Sequence, residues 1–193
     1  MSILGAITGG LRSPNRIRHN GKRLSDILAL HAKFVRGDES GVRADLAGAN
    51  LSRADLHKMN LAYVNLQGAN LTRANLREAK LASVDFGKAK LHRAALRKAD
   101  LTDANLSGAD LSEAQVGGAE LFRADLRHAN LRRANFGATN FRQAEIGGAN
   151  FEGAILQTTI LRETNLDGVD LSGVDLTTTL LPPGYKRSNA ASG

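Results

Sequence analysis

The side chains here that could do chemistry are 5 His, 19 Asp and Glu, and 26 Lys and Arg, with no Cys among 193 residues. Without Cys there is no disulfide, no thiolate nucleophile and no zinc-thiolate centre. No Gly-rich phosphate loop and no nucleophile beside a base is present. What the charged residues do have is a common spacing. Arg53, Arg73, Arg93 and Arg133 are separated by multiples of 20, and so are Asp100 and Glu120. His57, His92 and His128 share no such spacing, so nothing brings them to one metal centre.

The elements that must position these groups are of one kind. From Leu46 to Leu181 every fifth residue is Leu, Phe, Val or Ile, giving 28 units without a slip. Two residues earlier stands Ala in 19 units, with Val, Thr or Met in the rest. On an α-helix a step of five leaves ~140° between successive Leu, which would scatter them around the surface. On a flat strand an odd step alternates faces. Only a chain that turns once per unit can bury every centre on one axis. Leu46, Leu51, Leu56, Leu61 and Phe86 are thus core positions. Phe136, Phe141 and Phe151 fill the same core. The interior is filled by Leu, Phe and Ala, which leaves no substrate cavity and points away from an enzyme and from any cofactor.

Glycines set the size of the coil. Gly stands two residues after the centre in eight units, and five of these (48, 68, 108, 148, 168) are multiples of 20 apart. Four units per coil follow, hence about seven coils. At strand-like stacking of ~4.8 Å per coil the rod is about 34 Å long.

Ala44-Asp45-Leu46-Ala47-Gly48, Ala49-Asn50-Leu51-Ser52-Arg53 and Ala109-Asp110-Leu111-Ser112-Glu113 resemble pentapeptide repeat proteins. The resemblance spans residues 42–181. It implies an all-β architecture, a right-handed quadrilateral parallel β-helix. It implies little about role, although the best-understood members mimic duplex DNA and bind type II topoisomerases. Fold alone does not give function.

Around the solenoid the chain divides simply. Residues 1–23 hold five Arg and Lys and no acid, and read as a flexible basic arm. Residues 24–37 read as a short capping helix, with Ser25 at its N-terminus, Gly37 at its end, and Ile27, Leu28 and Phe34 laid over the first coil. Residues 182–193, from Pro182-Pro183-Gly184, read as a stop and flexible tail. No stretch approaches the ~20 apolar residues of a membrane span. A cytoplasmic location is expected.

The formal net charge is +7. It is unevenly spread: residues 1–98 carry +11, residues 99–143 carry −1 and residues 144–181 carry −5. Sorted by coil register, the second and third faces gather Arg53, Arg73, Arg93, Lys58, Lys90, Arg97 and Lys98. Stacked Arg side chains repel, which mildly favours an anionic partner; a solvated surface of alternating signs is the plainer reading of the same patch. The fourth face presents Tyr63 and Phe122, which can anchor an interface. Ile155 and Ile160, with Thr158, Thr159, Thr164, Thr178 and Thr179, mark a β-branched last third that suits either self-association as a homodimer or plain strand preference.

Three functions are consistent with this surface. The first is a non-enzymatic protein-interaction scaffold. The second is binding of nucleic acid or an anionic surface through the basic N-terminal half. The third is a DNA-mimicking regulator of a type II topoisomerase, which the neutral solenoid and basic first half suit poorly.

Overall fold

The computed structural model describes residues 10–185. From Asp45 onward the chain coils so that the residue just before a centre bridges, in parallel, the residue 20 positions on, without a gap as far as Asn140. Asp45 pairs with Asn65, Asn50 with Asn70, and the series runs to Asn140 with Ile160 and ends on Ile160 with Leu180. One turn therefore consumes four units, and the 20-residue spacing of the charged side chains is a stacking distance. All apolar centres from Leu46 to Leu176 are buried, and nearly all the Ala two residues before them are buried too.

Each unit closes by a turn of one type. The N–H three residues after a centre donates to the centre's carbonyl, as Ala49 to Leu46 at 3.0 Å. The residue two after the centre has positive φ, with Gly48 at 65°, Gly68 at 64° and Arg73 at 58°. That is the left-handed second position of a type II turn, which Gly adopts at least cost. Eight units place Gly there, and most others hold an ordinary residue in the same conformation.

The Asp or Asn before each centre also has a structural reason. Its Oδ1 accepts the N–H two residues on, as in Asp45 with Ala47 at 3.2 Å and Asp85 with Gly87 at 2.9 Å. When it is Asn, its amide can also donate to the carboxylate one coil earlier: Asn65 to Asp45, Asn75 to Asp55, Asn105 to Asp85, Asn130 to Asp110. These are Asx turns linked into ladders.

The N-terminal segment departs from the expected flexible arm. Residues 1–9 lie outside the described residues. Pro14–Arg16 form a 3₁₀ turn, and β1 (Arg18–His19) pairs antiparallel with β2 (Lys22–Arg23). Arg12 bridges Ala54, its N–H donating to Arg53 O at 2.7 Å while its carbonyl accepts Asp55 N–H at 2.9 Å. Ile17 is fully buried in the same apolar cluster as the repeat centres. The basic residues of this segment thus sit on a folded scaffold from Arg12 onward.

Helix α1 spans Leu24–Arg36. It begins one residue before Ser25, because Leu24 is buried in the core cluster and its N–H donates to Ile17 O at 2.8 Å. Ser25 is therefore not the N-cap; its hydroxyl meets Asp26 instead. Gly37 ends the helix at φ 83°. Ile27 and Leu28 pack on the core, but Phe34 stays 38% exposed and stacks on His31. Leu24, at the opposite end of the helix, is the side chain that is fully buried in the core instead.

Candidate interaction faces

Backbone pairing puts residues 20 apart side by side, so the outward charges form ladders along the axis. In the second half of the rod these ladders are neutralised across coils. Arg123 meets Asp103 at 2.7 Å, Arg132 meets Glu152 at 2.6 Å and Arg142 meets Glu163 at 2.7 Å. Arg127 holds Asp125 and Glu145 together. The Arg123 hydrogen bond keeps Asp103 below the usual carboxylate range, and Arg127 does the same for Asp125. Glu120 moves the other way: partial burial raises its pKa, and Asp100 one coil earlier adds to the rise.

The first half is different. It has few carboxylates, so several of its cations, Arg73 and Arg97 among them, form no ion pair among the described residues. Of the residues singled out from sequence, Lys58 reaches Glu78 at 3.8 Å and Arg93 meets Glu113 at 2.7 Å. The Arg53, Arg73, Arg93 ladder is therefore interrupted by a pair at its third member. Arg53 also stands under the N-terminal segment, with a guanidinium nitrogen close against Gly10. Arg73, Lys90, Arg97 and Lys98 are exposed and form no ion pair among the described residues. Arg12, which the sequence reading left out, joins this side by donating to the Asn50 and Ser52 carbonyls.

The fourth-face aromatics do not form one patch. Tyr63 is 50% exposed. Phe122 lies three coils away, half-buried, with the Arg123 guanidinium 4.8 Å above its ring. The Thr cluster of the last third divides, with Thr158 and Thr178 exposed. Thr159, Thr164 and Thr179 are buried, donating to the carbonyls of Phe136, Phe141 and Leu156. They cannot serve a self-association surface; Ile155, 43% exposed, remains outside. The expected core rings do converge: Phe136, Phe141 and Phe151 pack with centroids 5.1 to 6.4 Å apart.

Among the described residues no group of three or more His, Asp and Glu could hold a metal ion, and no helix is long and apolar enough to cross a membrane. His31 is fully buried, and its Nδ1 accepts the Ala44 N–H at 3.2 Å. Among the described residues no acceptor meets full hydrogen-bond geometry at its Nε2, although the Ala62 backbone lies near enough to act on it. Burial lowers its pKa, the Ala62 backbone works against this, and Arg43 adds to the lowering.

Eight copies of the pentapeptide repeat match, over residues 42–77, 79–118, 119–157 and 147–181. Among solved structures, a pentapeptide repeat protein of the cyanobacterium Cyanothece 51142, Rfr23, is 29% identical, covering 57% of this chain and 86% of its own, with a TM-score of 0.49. HetL of Nostoc sp. strain PCC 7120, involved in heterocyst differentiation regulation, is 26% identical over 74% of this chain and 86% of its own, at 0.29. QnrB1, a plasmid-mediated fluoroquinolone resistance protein, is 20% identical over 59% of this chain and 65% of its own, at 0.36. Among curated protein sequences no relative matches.

Proposed function

The chain belongs to the pentapeptide repeat family, and from that premise we propose that it is a non-enzymatic, cytoplasmic protein-binding scaffold. The reading takes the solenoid as about seven right-handed coils, with α1 and the β1–β2 hairpin capping the first. One observation carries it: Leu, Phe and Ala with a few hydrogen-bonded Thr fill the interior, so specific recognition falls to the outer faces. A rod whose coils stack at ~4.8 Å presents side chains at fixed positions with little ordering cost on binding. The test is capture of a partner by the intact chain and by face variants. Tyr63→Ser with Phe122→Ser, and Arg73→Glu with Arg97→Glu, should separate the fourth face from the cationic side. Loss of capture in one pair and retention in the other supports a face-specific scaffold; equal capture by both contradicts it.

A second reading, binding of nucleic acid or an anionic membrane, is favoured by the unpaired cations of the first half. Such binding weakens steeply as salt rises. Salt-insensitive binding would dismiss it. A topoisomerase-directed DNA mimic fits least, because the net-negative stretch is confined to residues 99–181.

A further inference from the structure

The third face carries a depression of about 520 Å³ bounded by Arg97, Lys98, Gln115, Asn135, Ile155 and Gln157. It exists because two successive coils lack side chains on the surface. Gly117 and Gly137 follow their centres directly, and Gly118 and Ala138 come next. Lys98 lies across the upper end, its Cγ 3.6 Å from where a Gly118 Cβ would stand. The rims, Arg97 and Gln157, are three coils or ~14 Å apart along the axis.

The charged groups facing this depression are cations, and the Gly137 and Gln157 carbonyls at its floor already accept backbone N–H groups. Arg97 and Lys98 have no ion pair among the described residues. The Gly117 N–H also lacks a partner there: Gln115 replaces the Asp or Asn that serves this donor in most other units. In the coil below, Asn135 accepts the Gly137 N–H at 2.9 Å, and its own amide donates to nothing described. At the far end Ile155 stands 43% exposed where most units have Asp or Asn. Donors and positive charge at one end, and an exposed branched apolar side chain at the other, describe complementarity to a carboxylate followed by an apolar group.

We propose that this depression docks an acidic, extended segment of a protein partner. A Glu or Asp lies against Arg97, Lys98 and the Gly117 N–H, and an apolar side chain about four residues on, ~14 Å away, lies against Ile155. Period-two alternation puts residues four apart on the same side of an extended chain. Nucleic acid suits the surface less well. No outward Phe, Tyr or Trp stands on the second or third face to stack a base, and a phosphate backbone has no use for Ile155. The inference rests on the scaffold reading and names the partner's chemistry.

The experiment measures binding of a fluorescent peptide carrying Glu-Glu four residues before Leu, at physiological salt. Single-stranded and duplex DNA of equal charge are the comparison probes. Arg97→Glu should weaken the peptide by at least about tenfold. Gly137→Gln should weaken it comparably without changing charge, by filling the floor. Gly137 has no positive φ, and Gln67 and Gln157 occupy the equivalent position in other coils. Arg162→Glu, the same charge change on the fourth face, should leave binding intact. Equal weakening by Arg162→Glu, indifference to Gly137→Gln, or tighter binding of either DNA than of the peptide would overturn the proposal. If the peptide fails to bind while a native partner is captured through another face, this inference falls and the scaffold stands. Circular dichroism of each variant separates lost binding from lost fold.

Discussion

His31 shows how one residue couples sequence to stability. It is the only buried ionisable side chain among the described residues, and its protonation would cost the Ala44 hydrogen bond as well as desolvation. Its folded pKa is lowered, so the unfolded chain takes up the proton first. Stability is then lost as pH falls below the ordinary His value of about 6.5. Thermal unfolding at pH 7 and pH 5 should show a drop in wild type and a smaller one in His31→Leu. Glu120 has the opposite sign. Its raised pKa means the charged form strains the fold at neutral pH, with relief as pH falls toward the ordinary Glu range. Glu120→Gln keeps an acceptor for the Asn140 amide, which donates at 2.6 Å, and should stabilise by a few tenths of a kcal/mol in denaturant unfolding at pH 7. An unchanged or lower midpoint would contradict a carboxylate strained by burial and by Asp100.

At the scale of elements, the Asp or Asn before each centre was legible as a pattern but not as a device. Its bond to the N–H two residues on is local, but its link to the carboxylate one coil earlier joins groups that only the coil brings together. The repeat itself was legible because one unit recurs 28 times and any other fold would misplace its Leu. The N-terminal segment was not, because Ile17 and Leu24 are single apolar residues with no period. One signal was available: Asn20-Gly21 between two short polar pairs is a hairpin turn. The structure has Asn20 at φ 48° and Gly21 at 78°, joining β1 to β2. Ile17→Ala should cost 2–5 kcal/mol if this segment folds with the solenoid. Hydrogen exchange at the Leu24 and Asp55 amides, which donate to Ile17 O and Arg12 O, should speed up together. Exchange at Leu24 alone would mean that the hairpin and the Arg12 bridge are separate units. Phe141→Ala should cost about 3–5 kcal/mol, because the ring wedges against two others and the neighbouring coils cannot collapse around it.

At the scale of the whole molecule, the candidate site was half legible. Net charge and register located the cationic side. They could not tell a paired cation from a free one, because pairing depends on which carboxylate falls one coil away. Arg93 has Glu113 there, whereas Arg97 has Gly117. The depression was invisible for a related reason: Gly117 and Gly137 differ in register from the turn glycines, and only stacking makes their missing side chains adjoin. The central claim is that this filled rod works by presenting its faces to proteins. Its most direct test is affinity capture from native lysate with the intact chain, run with and without nuclease, followed by identification of what is bound. The account predicts a small set of proteins that survives nuclease and is lost on Arg97→Glu. A broad set that vanishes with nuclease would contradict it, and would make the solenoid a rigid presenter for nucleic-acid contacts at its basic end.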